Sequence, residues 1–396
     1  MGYNLSKKGL DISPSVTLEI TAKAKEMRAK GIDVISFGAG EPDFNTPENI
    51  RKEAIRAIEE GLTKYTPASG IMELKKAVCE KFRIDNNLEY EPENIVISNG
   101  AKHSIYNALM AILNPGDEVI IGIPYWVSYP ELVKLAGGKP VYIKTVEENE
   151  FKFTVEDLER VKTNNTKAII LNSPSNPTGS IYNREELEEI AKWAVDNNIF
   201  VISDEIYEKL VYDDEHVSIA SLNDDIKNLT IVINGMSKAY SMTGWRIGFL
   251  AANKEIAKVI SNIQSHTTSN PCSISQYASV VGLTGDQTAV EEMKKQFKKR
   301  RDYMVDNINS ICGLSCRKPK GAFYIMVNIK ELKGKVIKGV KIESSLDLAK
   351  VLLDEGKVAV IPGIGFGDDD YFRLSYATSM ENIKEGLRRI KMVIES

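Results

Sequence analysis

The sequence predicts an α/β protein with a mostly parallel, seven-stranded sheet, helices on both faces, and a second, smaller α+β domain. Two observations predict the sheet. Apolar runs of strand length alternate with helical segments from residue 95 to residue 233, and one further strand follows at 245–251. A third observation predicts the smaller domain, because after about Ala251 the chain changes to long charged helices with a few separate strands.

The first elements come before the sheet. They are predicted as a helix over 14–30, a short strand over 32–37, a helix over 47–61 and a loop over 65–70. Gly31 closes the first of these helices, as glycine often does just past a helix end. The strand over 32–37 leads into the glycines Gly38 and Gly40, which either make a turn or let the backbone approach a ligand closely.

The six parallel strands are predicted at 95–98, 118–122, 140–144, 168–172, 200–203 and 229–233. In open sheets of this kind, ligands bind beyond the carboxyl ends of the strands. Polar residues follow four of the six strands there: Asn99 to Lys102, Asn176, Asp204 with Tyr207, and Lys238. Arg246 instead lies near the start of the strand at 245–251. To share the same edge of the sheet, that strand must run antiparallel to the others.

The C-terminal part contains a helix over 289–309, strands over 323–327, 358–361 and 372–375, and a final helix from Ser379. The basic run in the first of these helices, EEMKKQFKKRR, is interpreted as a solvated helix face rather than a nucleic-acid contact. We expect the C-terminal part to pack with the N-terminal segment. The predicted division is a large domain over 48–285 and a small domain made of 1–47 and 286–396.

Composition favours a small-molecule partner and a cytoplasmic location. The 396 residues include 51 Lys and Arg against 55 Asp and Glu, so a net charge of −4 gives no basic field for nucleic acid or an anionic membrane. The first residues lack the apolar core of a signal peptide, and no run has the length of a bilayer span. Four cysteines are too few and too scattered for a disulfide framework. Cys312 and Cys316 are spaced like metal ligands, but no histidine is near them in sequence, so no metal site is predicted.

The segment Gly235 to Leu250, GMSKAYSMTGWRIGFL, carries the strongest chemical signal. It brings the amine of Lys238 and the guanidinium of Arg246 close together, directly after a predicted strand. An amine beside an anion-binding group fits a carbonyl cofactor that bears a phosphate. Taken alone, the two residues could equally be solvated cations in a loop.

SKAYSMTGWRIG resembles the Schiff-base segment of the class I pyridoxal-phosphate (PLP) aminotransferases of fold type I. Further blocks follow the family's order over nearly the whole chain: FGAGEPDFNTP, KYTPASG, PYWVSYPE, NSPSNPTG, SDEIYE and FRLSYA. They are most similar to the bacterial and archaeal aspartate aminotransferases. The resemblance implies fold type I, pyridoxal 5'-phosphate as cofactor and a homodimer with shared active sites.

The resemblance also implies roles for individual residues. Lys238 would form the Schiff base and shuttle the proton, Asp204 would face the pyridine nitrogen, and Tyr207 with Asn176 would face the phenolic oxygen. Asp204 taken alone could be a simple cap. The phosphate and ring would be held by the free N–H groups at the start of a helix, by side chains around it and by a tyrosine of the neighbouring subunit: Gly100, Ala101, Lys102, Trp126, Ser237, Arg246 and Tyr65.

Substrate contacts are implied for Gly40, Lys102, Trp126, Asn176 and Arg373. Arg373 would hold the α-carboxylate with a bidentate fork that lysine cannot copy. Lys102 would read the distal carboxylate of aspartate. The arginine that another subgroup borrows from its partner subunit has no match in 261–275. By themselves, Arg373 could be an exposed strand arginine and Trp126 a core aromatic.

The expected function is transfer of the amino group of L-aspartate to 2-oxoglutarate, giving oxaloacetate and L-glutamate, by a ping-pong mechanism through a Lys238 Schiff base. Related enzymes with a similar residue set act on aromatic amino acids or prephenate, so these donors and alanine stay open. Two other readings are a PLP-dependent lyase that eliminates a β-substituent and a catalytically silent PLP-binding regulatory module. No DNA-reading domain is visible in the sequence, which disfavours the last.

Overall fold

The computed structural model describes residues 3–14 and 16–396. The strands over those residues are β1 (Ile35–Ser36), β2 (Ile95–Ser98), β3 (Glu118–Ile123), β4 (Lys139–Lys144), β5 (Thr166–Asn172), β6 (Phe200–Asp204), β7 (Thr230–Gly235), β8 (Gly248–Ala251), β9 (Tyr324–Asn328), β10 (Val336–Ile337), β11 (Val340–Lys341), β12 (Val358–Ala359), β13 (Ile361–Pro362) and β14 (Tyr371–Ser375).

The α-helices over the same residues are α1 (Lys7–Leu10), α2 (Val16–Ala29), α3 (Glu48–Glu59), α4 (Met72–Asn86), α5 (Ala101–Ile112), α6 (Tyr129–Leu135), α7 (Val155–Val161), α8 (Arg184–Asn197), α9 (Asp224–Leu229), α10 (Lys254–Thr267), α11 (Ser273–Thr284), α12 (Thr288–Ile308), α13 (Ser345–Asp354) and α14 (Met380–Ile394). In the described ranges, no helix is both long enough and apolar enough to cross a bilayer. Of the helix predicted over 14–30, residue 15 lies outside the described residues.

The central sheet has seven strands in the order β2-β8-β7-β6-β5-β3-β4. β8 pairs antiparallel with both β2 and β7, while the pairs among β3 to β7 are all parallel. This confirms the predicted mostly parallel sheet and the antiparallel direction that the position of Arg246 requires. Every residue of β2 and β7 is buried, as expected for strands covered on both faces.

Helices cover both faces of this sheet through separate apolar clusters. On one face, α5 and α10 pack Ile105, Leu109 and Ile260 against the strands. On the other, α7 and α8 pack Leu158 and Leu187. The strands of the central sheet are therefore packed against helices on both faces, and the carboxyl ends of these strands carry polar residues predicted for the site.

A second, antiparallel sheet has the order β13-β14-β9. Beside it, β1 pairs in parallel with β12, which joins the N-terminal segment to the C-terminal part as expected. The single strand predicted at 358–361 is wrong: β12 and β13 belong to different sheets and are separated at Val360. The chain passes from one sheet to the other there, a change that an unbroken apolar run does not reveal.

The predicted start of β8 is also wrong. Residues Thr243–Trp245 form a 3₁₀ turn, Arg246 has a left-handed backbone with φ of +57°, and the strand begins at Gly248. Arg246 therefore lies two residues before the strand. Its side chain still reaches the edge of the sheet, because the turn directs it toward the loop after β2.

Candidate active site

The site begins where three strands of the central sheet meet. In register, Gly248 at the start of β8 faces both Ser98 at the end of β2 and Gly235 at the end of β7. A Cβ on Gly248 would come within 2.2 Å of the backbone nitrogen of Ala101, so this approach needs glycine. The pairing of Gly248 with both strand ends brings the start of α5 close to the segment that follows β7.

A cavity of about 700 Å³ opens at this edge. Residues from nearly every predicted block line it, namely Gly40, Ala101, Lys102, Trp126, Asn176, Asp204, Tyr207, Ser237, Lys238, Arg246 and Arg373. Two predicted site residues are not part of this lining. Gly100 lies directly behind it, in contact with Arg246, and Tyr65 lies on the surface with 91% of its area exposed.

Lys238 is partly enclosed and points its amine into the cavity. Its Nζ donates a hydrogen bond to the carbonyl oxygen of Gly40 at 2.5 Å and lies 5.6 Å from the ring centre of Tyr207. Burial, followed by the positive charge of Arg373, lowers the pKa of Lys238 from 10.5 to about 8. The neutral, nucleophilic form of this amine is therefore far more populated near neutral pH than that of an ordinary lysine.

Asp204 is buried at the end of β6, with 4% of its area exposed. Its Oδ2 accepts a hydrogen bond from the hydroxyl of Tyr129 at 2.7 Å, and its Oδ1 accepts one from the Ile206 N–H at 3.3 Å. Burial raises the pKa of Asp204 from 3.8 to about 6, although both hydrogen bonds lower it. A buried carboxylate of this kind favours a positively charged donor in the cavity.

Arg373 is 2% exposed, so it is not a surface strand arginine. Its Nη1 donates to Oδ1 of Asn176 at 2.8 Å and its Nη2 to the carbonyl oxygen of Gly38 at 3.1 Å. Its Nε is buried and has no partner among the described residues. The guanidinium also lies 4.2 Å from the ring centre of Tyr324. An incompletely paired, buried guanidinium that reaches a cavity is suited to binding an anion.

Tyr324 and Tyr129 are cavity residues that the sequence analysis missed. The hydroxyl of Tyr324 lies 2.9 Å from that of Tyr207, so these two groups orient each other. Tyr129 lies within the quoted PYWVSYPE block, but nothing in its spacing indicates that it reaches Asp204. Tyr324 comes from the second sheet, at a distance of more than a hundred residues from Tyr207.

The start of α5 offers donors for an anion. The N–H groups of Ala101 and Lys102 have no acceptor among the described residues, since they begin the helix. Gly100 has φ of +88°, and a Cβ there would lie 2.2 Å from Nη2 of Arg246. The guanidinium of Arg246 is thus held directly against this loop, next to Ser237 in the same cavity. Free N–H groups, a hydroxyl and a guanidinium together fit a phosphate.

Lys102 and Trp126 form another wall of the cavity. Nζ of Lys102 lies 5.0 Å from the ring centre of Trp126, whose ring packs edge-to-face with that of Tyr129. Lys102 is exposed at the mouth of the cavity, although neighbouring atoms keep part of the water away from its amine. This desolvation, together with the positive charge of Arg246, lowers the pKa of Lys102. An exposed cation in this wall is placed to meet the far end of a bound substrate.

Comparison with known proteins agrees with this geometry. Residues 32–390 match the family described as aminotransferase class I and II. The chain is 52% identical to an aspartate aminotransferase of Bacillus sp. strain YM-2, over 99% of both chains. It is 47% identical to a probable aspartate/prephenate aminotransferase of Aquifex aeolicus, over the full length of both. The crystal structure of an aspartate aminotransferase from Rhizobium meliloti superimposes with a TM-score of 0.96, at 43% identity, covering 100% of this chain and 99% of that one.

The resemblance inferred from the motifs is thereby confirmed, together with fold type I and the cofactor. The family model matches most of the chain, and a relative is 52% identical over 99% of both chains. These two findings show that the chain belongs to this family. The cavity supplies an amine, a buried carboxylate and an anion cradle, which are the groups that PLP requires. The chain belongs to the class I and II aminotransferases and is a PLP-dependent aminotransferase.

Proposed function

We propose that the enzyme transfers the amino group of L-aspartate to 2-oxoglutarate, giving oxaloacetate and L-glutamate by a ping-pong mechanism. The observation that carries this proposal is the charge of the cavity. Besides Lys238 and Arg246, which the cofactor would engage, four cations line the cavity. Lys25 and Arg28 are exposed on α2, whereas Arg373 is buried and Lys102 lies on α5 beside the loop assigned to the phosphate. Arg373 and Lys102 together suit a substrate with two carboxylates. The names of relatives such as the Bacillus aspartate aminotransferase support the same choice.

The residues around the amine have separate tasks in this proposal. Bound PLP supplies a ring that withdraws electrons from the substrate's α-carbon. Lys238 would hold the cofactor covalently and, as a free amine, would accept the proton that leaves the substrate's α-carbon. Asp204 favours a protonated ring nitrogen, because its buried negative charge otherwise has only neutral hydrogen-bond donors. Tyr207 and Asn176 would donate to the phenolic oxygen, and Trp126 would cover the ring.

The α-carboxylate of the substrate is assigned to Arg373 and to the backbone of Gly40. Nε of Arg373 has no partner among the described residues, and its two other nitrogens use only single acceptors. A carboxylate can therefore add to this guanidinium without breaking a buried ion pair. The distal carboxylate is assigned to Lys102, which is exposed and lines the same cavity as Arg373.

The phosphate of the cofactor is assigned to Gly100, Ala101, Lys102, Ser237 and Arg246. Tyr65 would complete this site from a second subunit. It is 91% exposed, and the preceding helix α3 exposes two apolar side chains, Ile55 and Ile58, each at 55%. We propose that this face packs against a second copy of the chain in a homodimer with shared active sites. Each chain would consist of a large domain over 48–285 and a small domain made of 1–47 and 286–396. A cytoplasmic location stays a prediction.

A steady-state assay tests the proposed reaction. Oxaloacetate formation from L-aspartate should require 2-oxoglutarate, and double-reciprocal plots at several 2-oxoglutarate concentrations should be parallel, as ping-pong kinetics demands. L-alanine, L-phenylalanine and L-glutamate with prephenate are tested as alternative pairs. Because one relative is named a probable aspartate/prephenate aminotransferase, prephenate is the second candidate acceptor. Ammonia release without an oxo acid would instead identify a β-eliminating lyase.

A further inference from the structure

The loop that joins β2 to α5 is fixed through both main-chain groups of Asn99. Its carbonyl oxygen accepts a hydrogen bond from Nη2 of Arg246 at 3.3 Å. Its N–H donates to Nδ1 of His103 at 3.3 Å, one turn further along in α5. The next N–H, that of Gly100, is taken by the carbonyl oxygen of Ser98 at 2.7 Å. The loop is thus tied to Arg246 on one side and to His103 on the other.

The imidazole is suited to this bond. To accept at Nδ1, the ring must be neutral and carry its proton on Nε2. Burial lowers the pKa of His103, which favours the neutral ring. No other acceptor for the Asn99 N–H is present among the described residues. Removing the imidazole would therefore leave this N–H unpaired and break one of the two hydrogen bonds made by the main chain of Asn99.

The position of the tie matters because the loop has a demanding conformation. Gly100 has φ of +88° and ψ of 158°, and it directly precedes the first two free N–H groups of α5, those of Ala101 and Lys102, which both line the cavity. His103 itself does not line the cavity. Any effect it has on a bound phosphate must therefore be indirect, and the hydrogen bond to Asn99 connects it to the loop.

We propose that His103 is a positioning residue that holds the phosphate-binding loop in place through the Asn99 N–H, and so slows release of the cofactor. The proposal rests on the assignment of the phosphate to this loop and to Arg246. It predicts that a side chain with an acceptor at the position of Nδ1 can replace the imidazole, whereas an apolar side chain cannot.

The test measures the rate at which PLP leaves the holoenzyme, by timed removal of free cofactor with a PLP-binding trap. His103→Leu should release PLP about three- to tenfold faster, the range expected for one net hydrogen bond. His103→Asn, whose Oδ1 occupies the same position along the side chain as Nδ1 of the imidazole, should restore a rate close to that of the unaltered enzyme. His103→Met is apolar and has no such acceptor, so it should behave like His103→Leu and serves in its place if that variant does not fold.

The Arg246→Gln variant, measured in parallel, distinguishes failure of the His103 proposal from failure of the phosphate assignment on which it rests. If Arg246→Gln does not speed PLP release, the phosphate is bound elsewhere and both assignments fall. If Arg246→Gln speeds release but the His103→Leu and His103→Met variants retain the unaltered rate, the phosphate assignment stands and the role of His103 is wrong. Failure of His103→Asn to slow release relative to His103→Leu also overturns it, because simple packing, not an acceptor, would then be the cause.

Discussion

Replacing Lys102 with methionine is expected to weaken catalysis selectively for dicarboxylic substrates. Methionine keeps the length and apolar stem that pack near Trp126, but it removes the charge. A hydrogen bond to a charged group contributes about 1.5–3 kcal/mol. Because Lys102 is exposed at the mouth, water competes for its amine and the lower half of this range applies. The loss in kcat/KM for aspartate should therefore be about ten- to fiftyfold, since each 1.36 kcal/mol is a factor of ten.

The assay compares kcat/KM for L-aspartate and for L-alanine in the Lys102→Met variant. Alanine lacks a distal carboxylate, so its kcat/KM should fall less than about threefold, by the same physical argument. Lys25→Met is the matched control, because Lys25 is a second exposed lysine that lines the same cavity from α2. Equal losses for aspartate and alanine would refute the assignment, and so would an equal aspartate-specific loss in Lys25→Met.

Three further predictions concern single groups. The rate at which PLP-free enzyme captures PLP should rise as pH passes through about 8 and then level off, because the neutral amine of Lys238 is the reacting form and its pKa is about 8; a rise that continues to pH 10.5, the ordinary value, would contradict this. Lys81→Met should lower the free energy of unfolding in urea by about 3–5 kcal/mol, since it leaves the buried carboxylate of Glu208 without its cation; Lys52→Met, which breaks an exposed ion pair, should cost less than about 1 kcal/mol. Tyr65→Phe should weaken PLP binding severalfold in equilibrium titrations, and it should leave binding unchanged if no second subunit contributes this hydroxyl.

The ion pair of Glu208 also predicts how stability depends on pH. Lys81 and nearby donors hold the pKa of this carboxyl at about 2, below its ordinary value of 4.5. A depressed pKa in the folded state means that the pair stabilises the protein fully above pH 4.5 and loses this contribution as pH falls toward 2. The acid-induced fall in stability should therefore be shallower in Lys81→Met. An identical pH profile in both proteins would contradict this linkage.

The central sheet could be predicted because its signal is local. Each of its strands is an apolar run of ordinary length, and the ligand edge follows from the parallel direction. The antiparallel direction of β8 could also be inferred, because Arg246 had to reach the edge already occupied by Lys238. The start of β8 could not, since the left-handed backbone at Arg246 depends on the 3₁₀ turn before it and on the contact with Gly100.

Residues that act through distant partners could not be predicted. The contact of Tyr129 with Asp204 spans 75 positions, and that of Tyr324 with Tyr207 spans 117. A tyrosine in a buried segment signals a need for a hydrogen-bond partner, but the sequence does not say which one. The separation of β12 from β13 was hidden for a similar reason, because buried strands of two different sheets have the same apolar composition.

The visible absorption spectrum of the purified enzyme tests the central claim, that Lys238 carries the cofactor and mediates the amino transfer. L-aspartate added without an oxo acid should shift the cofactor band to shorter wavelength, and 2-oxoglutarate should restore it. Lys238→Ala should bind PLP but fail to complete this cycle. A protein that takes up no PLP, or a Lys238→Ala variant that cycles like the unaltered enzyme, would contradict the account.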